Sequence, residues 1–564
     1  MKKYNDLTTP FEENMPFIPH KEYPRPQCRR DSYLCLNGEW DLQIVTRGGT
    51  TYDGKILVPF PIQSRLSGVK RSVGKHDRMY YSRIFHLNED FVKDKTILHF
   101  GAVDQICRVF INGIPVGEHI GGYIPFSYDI TKQIKIGENT LLVEVKDEQD
   151  PDLAYGKQCH KRGGMWYTPI SGIWQTIWIE SIYKEAITDI RIQSTVESAT
   201  ITVTGGRDDK RIIFQGEEYS LKDNSLTLFP NEPKQWSPEQ PYLYEFEILS
   251  GRDSVKSYFA LRQIEIDGNR ILLNQKPYFF HGVLDQGYFS DGIYMPATPK
   301  GFENDILQMK SLGFNMLRKH IKIEPDLFYY YCDKYGMIVF QDMVNSGKYS
   351  FIRDTALPTI GFKKGGKRKA SEYRKKHFEE NTKDTVKLLY NHPCVCYYTI
   401  FNEGWGQYDA DRLYDLGKSL DNSRVWDTTS GWFKETKSDV ESEHVYFKPI
   451  SLSKTEKPLV LSEFGGYSLK IKENSFNPYK TYGYKKFTNS ENFEREIEKL
   501  YLEQIIPAIE NGLCATVLTQ LSDVEDETNG LLTYDRRILK INTAKMQTMS
   551  KSIMDAYQKK HSKS

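Results

Sequence analysis

Short apolar runs bounded by Gly, Pro or Asn mark the first part of the chain: 55–60 (KILVPF), 96–102 (TILHFGA), 107–113 (CRVFING) and 139–145 (NTLLVEV). Runs of this length, rich in β-branched residues, are strands, and Asn112-Gly113 is a tight-turn pair. Up to about residue 265 they recur without helical spacing between them, which predicts antiparallel sandwiches. One sandwich is expected over 1–182. The block 183–265 has the texture and roughly the size of an immunoglobulin-like sandwich.

Beyond about residue 278 the rhythm changes. Strand-like runs at 278–284, 314–320, 337–342, 394–402, 425–429, 442–447, 458–464 and 514–520 alternate with helical stretches or long connections. Phe302, Ile306 and Met309 share one helical face after Thr298-Pro299, and Gly313 is the stop. Residues 325–336 form a second helix ending in glycine. A long polar helix ends near Leu389, and others cover 412–420 and about 491–511. Eight near-continuous apolar strands in this order predict a (β/α)8 barrel over 266–564. The rival, an open doubly wound sheet, lacks its glycine-rich turn after the first strand.

The chain has 564 residues, 39% hydrophobic and 27% charged, enough apolar surface for several cores. Lys+Arg is 76 against Asp+Glu 75, so no global field draws nucleic acid or an anionic membrane. No apolar run approaches the ~20 residues of a spanning helix. Two lysines open the chain without an apolar stretch behind them, so no signal peptide is expected. The 8 cysteines show no zinc or disulfide spacing, and a reducing cytoplasm is the simplest compartment. The connection 345–376 is basic, with Lys363, Lys364, Lys367, Arg368, Lys369, Arg374, Lys375 and Lys376. It reads as a solvated loop, with a lid or subsite wall as the functional alternative.

Aromatics make up 13% of the chain, 37 of them tyrosine. Tyrosine suits both half-wet core edges and sugar faces. In a barrel of this kind the reacting residues sit at the C-terminal ends of strands. Glu403 ends the fourth strand (TIFNEGWG) and Glu463 the seventh (VLSEFGG), so the two carboxylates can face each other across the mouth. Paired carboxylates are what glycosidic cleavage needs: one protonates the departing oxygen, the other attacks the anomeric carbon or activates water.

These segments, with LNGEWDL (36–42), VPFPIQSRLSG (58–68), FINGIPVGEHIGGY (110–123), TPISGIWQTIWIE (168–180), FHGVLDQGY (280–288) and LGFNMLRKH (312–320), resemble glycoside hydrolase family 2, which holds β-galactosidases, β-glucuronidases and β-mannosidases. The resemblance covers most of the chain. It implies a jelly-roll, sugar-binding-like N-terminal sandwich before the immunoglobulin-like one and the barrel. It implies that Glu403 is the general acid/base and Glu463 the nucleophile, with retention of configuration. It makes Asn402 the partner of the sugar 2-hydroxyl, the alternative being a loop cap, and it matches Tyr446 to a tyrosine beside the nucleophile. Trp405 stacks on a sugar face or packs under its loop. Asp285, His320, Asp342 and His444 are further candidates for sugar hydroxyls. Gln520, Asp523 and Glu525 follow strand eight, where the family often places specificity residues.

Three departures shape the expected specificity. QDMVNSGKY (341–349) lacks the Glu-x-His of magnesium-dependent β-galactosidases, so no catalytic metal or other cofactor is expected. TNGLLTYDRR (528–537) lacks the Asn-x-Lys of glucuronidases, and Asp523, Glu525, Asp526 and Glu527 should repel an acidic sugar, the alternative being that Arg536 or Arg537 receives its carboxylate. Leu284-Asp285-Gln286-Gly287 stands where β-galactosidases have a histidine-rich loop. The expectation is a retaining exo-β-glycosidase for a neutral terminal sugar, first a β-galactosidase. Its alternatives are glucuronides, mannosides, arabinosides or galactofuranosides as substrates, or a carbohydrate-binding protein without turnover. The expected partner is a carbohydrate, with no nucleic acid or membrane; homo-oligomerisation is left open.

Overall fold

The computed structural model describes residues 4–362 and 369–562. In the first sandwich a six-stranded antiparallel sheet faces a four-stranded one. Along Gly38–Thr46, Trp40, Leu42 and Ile44 point inward while Glu39, Asp41 and Gln43 face water, the period of two that a half-buried strand requires. The pair Asn112-Gly113 takes positive φ at both positions, 52° and 78°, and joins Ile106–Ile111 to Ile114–Ile120 as a primed turn. The second sandwich has three strands (Ile187–Ser194, Ala199–Gly205, Ser225–Leu228) over four (Arg211–Phe214, Glu217–Ser220, Tyr244–Ser250, Asp253–Phe259), with Ile201, Ile212, Phe246 and Val255 in its core.

The remainder is a barrel of eight parallel strands: β1 Phe280–Asp285, β2 Met316–Lys319, β3 Ile338–Asp342, β4 Val395–Asn402, β5 Val425–Ser430, β6 Glu441–Val445, β7 Leu459–Gly465 and β8 Leu513–Thr519. Backbone pairing runs in the order β5-β4-β3-β2-β1-β8-β7-β6. Between β5 and β6 the ring closes through side chains: Ser442 Oγ donates to Asp427 Oδ1 at 3.0 Å. Seven of the strands are buried on both faces, which is why they read as continuous apolar runs, and only β6 leaves Glu441 and Glu443 half-buried.

Helices α1 Lys300–Ser311, α2 Asp326–Tyr335, α3 Glu372–Leu389 and α4 Ala410–Leu420 lie where the apolar spacing places them. Gly313 (φ 91°) and Gly336 (φ 71°) stop the first two. The helix expected over 491–511 is α5 Ser490–Leu500, which widens to π geometry over Tyr501–Ile505 before Ile506–Glu510. Pro507 has no N–H for the regular ladder, and the widened turn accommodates it. After β8 the chain ends in α6 Thr543–His561. The connections after β5 and β6 carry no regular helix. Of the basic connection, Lys363, Lys364, Lys367 and Arg368 lie outside the described residues. Its described part includes helical turns over Ile352–Ala356 and Leu357–Thr359.

Candidate active site

Glu403 follows the last residue of β4 in the left-handed region, at φ 50°. A non-glycine residue held there stores strain that the surroundings must balance. Its N–H donates to Ser430 O (2.9 Å), and Gly404 and Gly406, also at positive φ, turn the chain sharply back. The carboxylate thereby enters the mouth. Glu463 lies in β7, and one oxygen of each glutamate falls within 4.8 Å of the other and of a His444 ring nitrogen.

Arg318 of β2, 1% exposed, organises the pair. Its Nε donates to both oxygens of Asp342 (3.0 and 3.1 Å), Nη1 to Ser462 O (2.8 Å) and Glu463 Oε1 (3.2 Å), and Nη2 to Asn402 Oδ1 (2.9 Å). A planar guanidinium with five donors fits this role; an ammonium does not. The bond to Asn402 fixes its amide with the oxygen toward Arg318 and the NH2 free to donate elsewhere. Tyr446 donates its hydroxyl to Glu463 Oε2.

His444 lies between the carboxylates, with Nδ1 2.9 Å from Glu403 Oε1 and Nε2 3.7 Å from Glu463 Oε1. Burial, opposed by Glu403, pushes its pKa down to about 4, so the ring is neutral near pH 7. Arg318 Nη1 points at Nε2 from 3.4 Å and Ser430 Oγ lies 3.1 Å from it, so Nε2 accepts and the single ring proton sits on Nδ1, donated to Glu403. Burial is the main cause raising the Glu403 pKa; His444 works against it and Glu463 with it. At Asp342 burial pushes upward, but Arg318 and His320 outweigh it and hold the carboxyl below the usual range. His320 Nδ1 is 2.8 Å from Asp342 Oδ2.

Trp405 is buried beside His320 (ring centroids 6.0 Å), and Trp166 from the first sandwich lies 5.3 Å from it, so two chain segments build one aromatic wall. The structure thus unites Asn402, Glu403, Glu463, His444, Tyr446, His320 and Asp342 around Arg318, with Trp405 adjacent. The other predicted residues are engaged elsewhere. Asp285 accepts from Lys319 Nζ (2.5 Å) and the Gly287 N–H (2.9 Å). Gln520 Oε1 accepts from Gln286 (2.9 Å). Asp523 accepts from Lys540 (2.6 Å) and the Gly530 N–H, and Glu525 from Arg162 (3.0 Å) and the Thr168 N–H.

These ion pairs weaken the repulsion expected against acidic sugars without removing it. Lys540 neutralises Asp523. Arg162 serves Glu525 and lies 4.0 Å from Asp526. Of the four acids, only Glu527 has no cation within 4.0 Å among the described residues; it accepts from Tyr167 and Asn529. Sequence reasoning passed over Arg318 and Trp166. A charged residue inside the apolar run FNMLRKH was the available signal for Arg318; Trp166 comes from the first sandwich, and no local pattern places it at the barrel. Glu403, His444 and Glu463 could together hold a cation, as could Asp333, His392 and Cys394, buried between α2 and the segment that leads into β4.

Residues 32–181 match the sugar binding domain of glycosyl hydrolases family 2, and residues 264–487 match that family's TIM barrel domain. A β-galactosidase of Thermoanaerobacter pseudethanolicus is 24% identical over 61% of this chain and 47% of its own length. A β-glucuronidase of Bacteroides fragilis is 24% identical over 66% of this chain and 56% of its own. The chain spans about half the length of such curated relatives. Among solved structures, a β-galacturonidase from Eisenbergiella tayi bound to galacturonate superposes with a TM-score of 0.69 at 18% identity, covering 94% of this chain and 99% of that one. The β-D-glucuronidase of Dictyoglomus thermophilum gives 0.72 at 18% identity, covering 95% and 98%. Those likenesses establish the fold. With the two modules matched in succession, sandwich then barrel, the chain belongs to glycosyl hydrolase family 2.

Proposed function

We propose that this chain is a retaining exo-β-glycosidase acting on a neutral, non-reducing terminal sugar, a β-galactoside first. The observation that carries the reaction type is the approach of Glu403 and Glu463 to within 4.8 Å at the ends of β4 and β7. That approach suits the ~5–5.5 Å carboxyl spacing of direct attack rather than the ~6.5–9.5 Å that leaves room for a water. Glu463 Oε attacks C1 as the C1–O bond breaks, and the proton of Glu403 passes to the departing oxygen. The glycosyl-enzyme then yields to water, whose proton returns to Glu403 while its oxygen takes C1 and frees Glu463. Asn402, with its NH2 free, donates to the 2-hydroxyl. With His444 donating to Oε1, the Glu403 proton resides on Oε2.

Burial keeps Glu403 protonated above the ordinary carboxylate range, which general-acid work requires. A nitrophenyl glycoside panel tests the reading. The expected outcome is turnover of a neutral β-glycoside with product of unchanged anomeric configuration by NMR. Glu463→Gln should abolish turnover, and a fluorosugar should label Glu463. Inverted product, or labelling elsewhere, refutes the mechanism. Relatives named β-glucuronidase and the neutralised acids after β8 favour a second reading, a uronide substrate, which turnover of a uronide alone would establish.

A further inference from the structure

The segment 150–170 of the first sandwich lies across the C-terminal face of the barrel. Tyr155 N–H donates to Asn345 O (3.1 Å), its hydroxyl to Gly347 O (2.8 Å), and Thr168 N–H to Glu525. Gly156 sits so close to Tyr123, Tyr294 and Ile321 O that a Cβ would lie 2.5 Å from the first hydroxyl and 3.2 Å from the carbonyl. The next residue, Lys157, is therefore held in place rather than free at the surface.

Lys157 is only 6% exposed, and its ammonium lies 5.2 Å from the Trp405 ring and 5.8 Å from the Tyr167 ring. Its charge acts on Glu403, His320 and Glu527, which places it over the mouth. Yet among the described residues no carboxylate comes within 4.0 Å of it and no acceptor takes a hydrogen bond from it. The stem of Lys157 is thus packed away while its ammonium is left for a partner from outside the described residues. Glu527 accepts from the hydroxyl of that same Tyr167 and from Asn529, and it likewise lacks a cation at ion-pair distance among the described residues. The Trp405 indole N–H on the same wall is buried without an acceptor.

We propose that Lys157 and Glu527 form a donor–acceptor pair that grips hydroxyls of a neutral glycone, Lys157 donating to a sugar oxygen and Glu527 accepting from a sugar O–H. The sandwich thereby takes part in choosing the sugar. A hydroxyl donates and accepts at once, so it satisfies both groups; a uronate carboxylate would satisfy the ammonium but face Glu527. This inference rests on the glycosidase reading above and deepens it.

The test uses the full chain with Lys157→Met, which keeps the stem on the two rings, Lys157→Arg, which keeps the charge, and Glu527→Gln, each checked for an unchanged melting temperature. On the preferred neutral glycoside, Lys157→Met and Glu527→Gln should each lower kcat/KM about 10- to 100-fold, with partial recovery in Lys157→Arg. Wild type should lose a similar factor on one monodeoxy glycoside, and Lys157→Met should lose nothing further on that same compound. Undiminished kcat/KM in both variants, or a wild type that prefers a uronide and loses only that activity in Lys157→Met, overturns the proposal. A wild type inert on every glycoside instead defeats the glycosidase reading. Tryptophan fluorescence titrations with galactose, glucose, mannose, galacturonate and glucuronate then decide the pair: neutral-sugar binding weakened in both variants supports it, and unchanged or uronate-only binding overturns it.

Discussion

Arg318 is the residue on which the ends of five strands converge: its own β2, β3 through Asp342, β4 through Asn402, β6 through His444 and β7 through Glu463. Arg318→Lys keeps the charge but loses the fork, and misplacing reacting groups by about 1 Å costs roughly 10²-fold. The expected result is a folded protein with kcat reduced by about that factor, read from steady-state kinetics and a melting curve. His444 acts through Glu403 as a positioning residue. Because its N–H favours the Glu403 carboxylate, His444→Ala should raise the Glu403 pKa further, leaving burial and Glu463 opposed by Lys157 alone of the charges that act on it most. The general acid works only while protonated, so the basic limb of kcat/KM should move to higher pH. A limb that stays in place means His444 only fills space. The convergence of Glu403 and Glu463 was legible because two glutamates, each at the end of an apolar strand beside glycine and an aromatic residue, fall on the face where this fold gathers its polar side chains. Arg318 was not singled out: on a four-residue strand, period two does not say which of Arg318 and Lys319 faces the mouth, and the two carry the same charge.

At the scale of elements, barrel strands are the most legible part, since burial on both faces writes itself as unbroken apolar sequence. The β4–α4 connection shows what spacing does not reveal. Gly406 lies against the β3–α3 connection so tightly that a Cβ would sit 1.7 Å from Ser346 O, a backbone atom that cannot swing away. Its φ of 64° also disfavours a side chain. Gly406→Ala should therefore displace Trp405 and Glu403 together. The expected cost is about 1–3 kcal/mol of stability, with a loss of activity out of proportion to it. Urea unfolding beside kcat separates the two, and unchanged kcat would show that the loop tolerates the shift. Asp523 and Glu525 illustrate the converse. Their positions after β8 matched a specificity site, but the lysine and arginine that occupy them come from residues 540 and 162, beyond any local pattern.

At the scale of the whole molecule, the barrel and second sandwich share a buried ionic cluster. His392, three residues before β4, places Nδ1 2.6 Å from Asp333 and Nε2 2.6 Å from Asp326, both of α2, while Tyr258 of the second sandwich donates to Asp333 at 2.7 Å. Burial pulls the His392 pKa down, but the two carboxylates outweigh it and raise it to about 10. A folded-state pKa above the unfolded value, about 6.5, means the protonated ring binds its proton more tightly in the folded chain. Its contribution is fully present below about pH 6.5, shrinks as pH rises and is gone above about 10. Melting temperature should therefore decline across that window. His392→Gln leaves the buried Asp333 and the half-buried Asp326 without that cation and should cost about 3–5 kcal/mol, and it should also flatten the decline. Because Tyr258 ties Asp333 to the sandwich, loss of the cluster should loosen that sandwich from the barrel, seen as faster amide exchange over Asp253–Phe259 with the β4 and β7 strands still protected. A variant that melts lower yet keeps the wild-type pH slope would place the titrating group elsewhere.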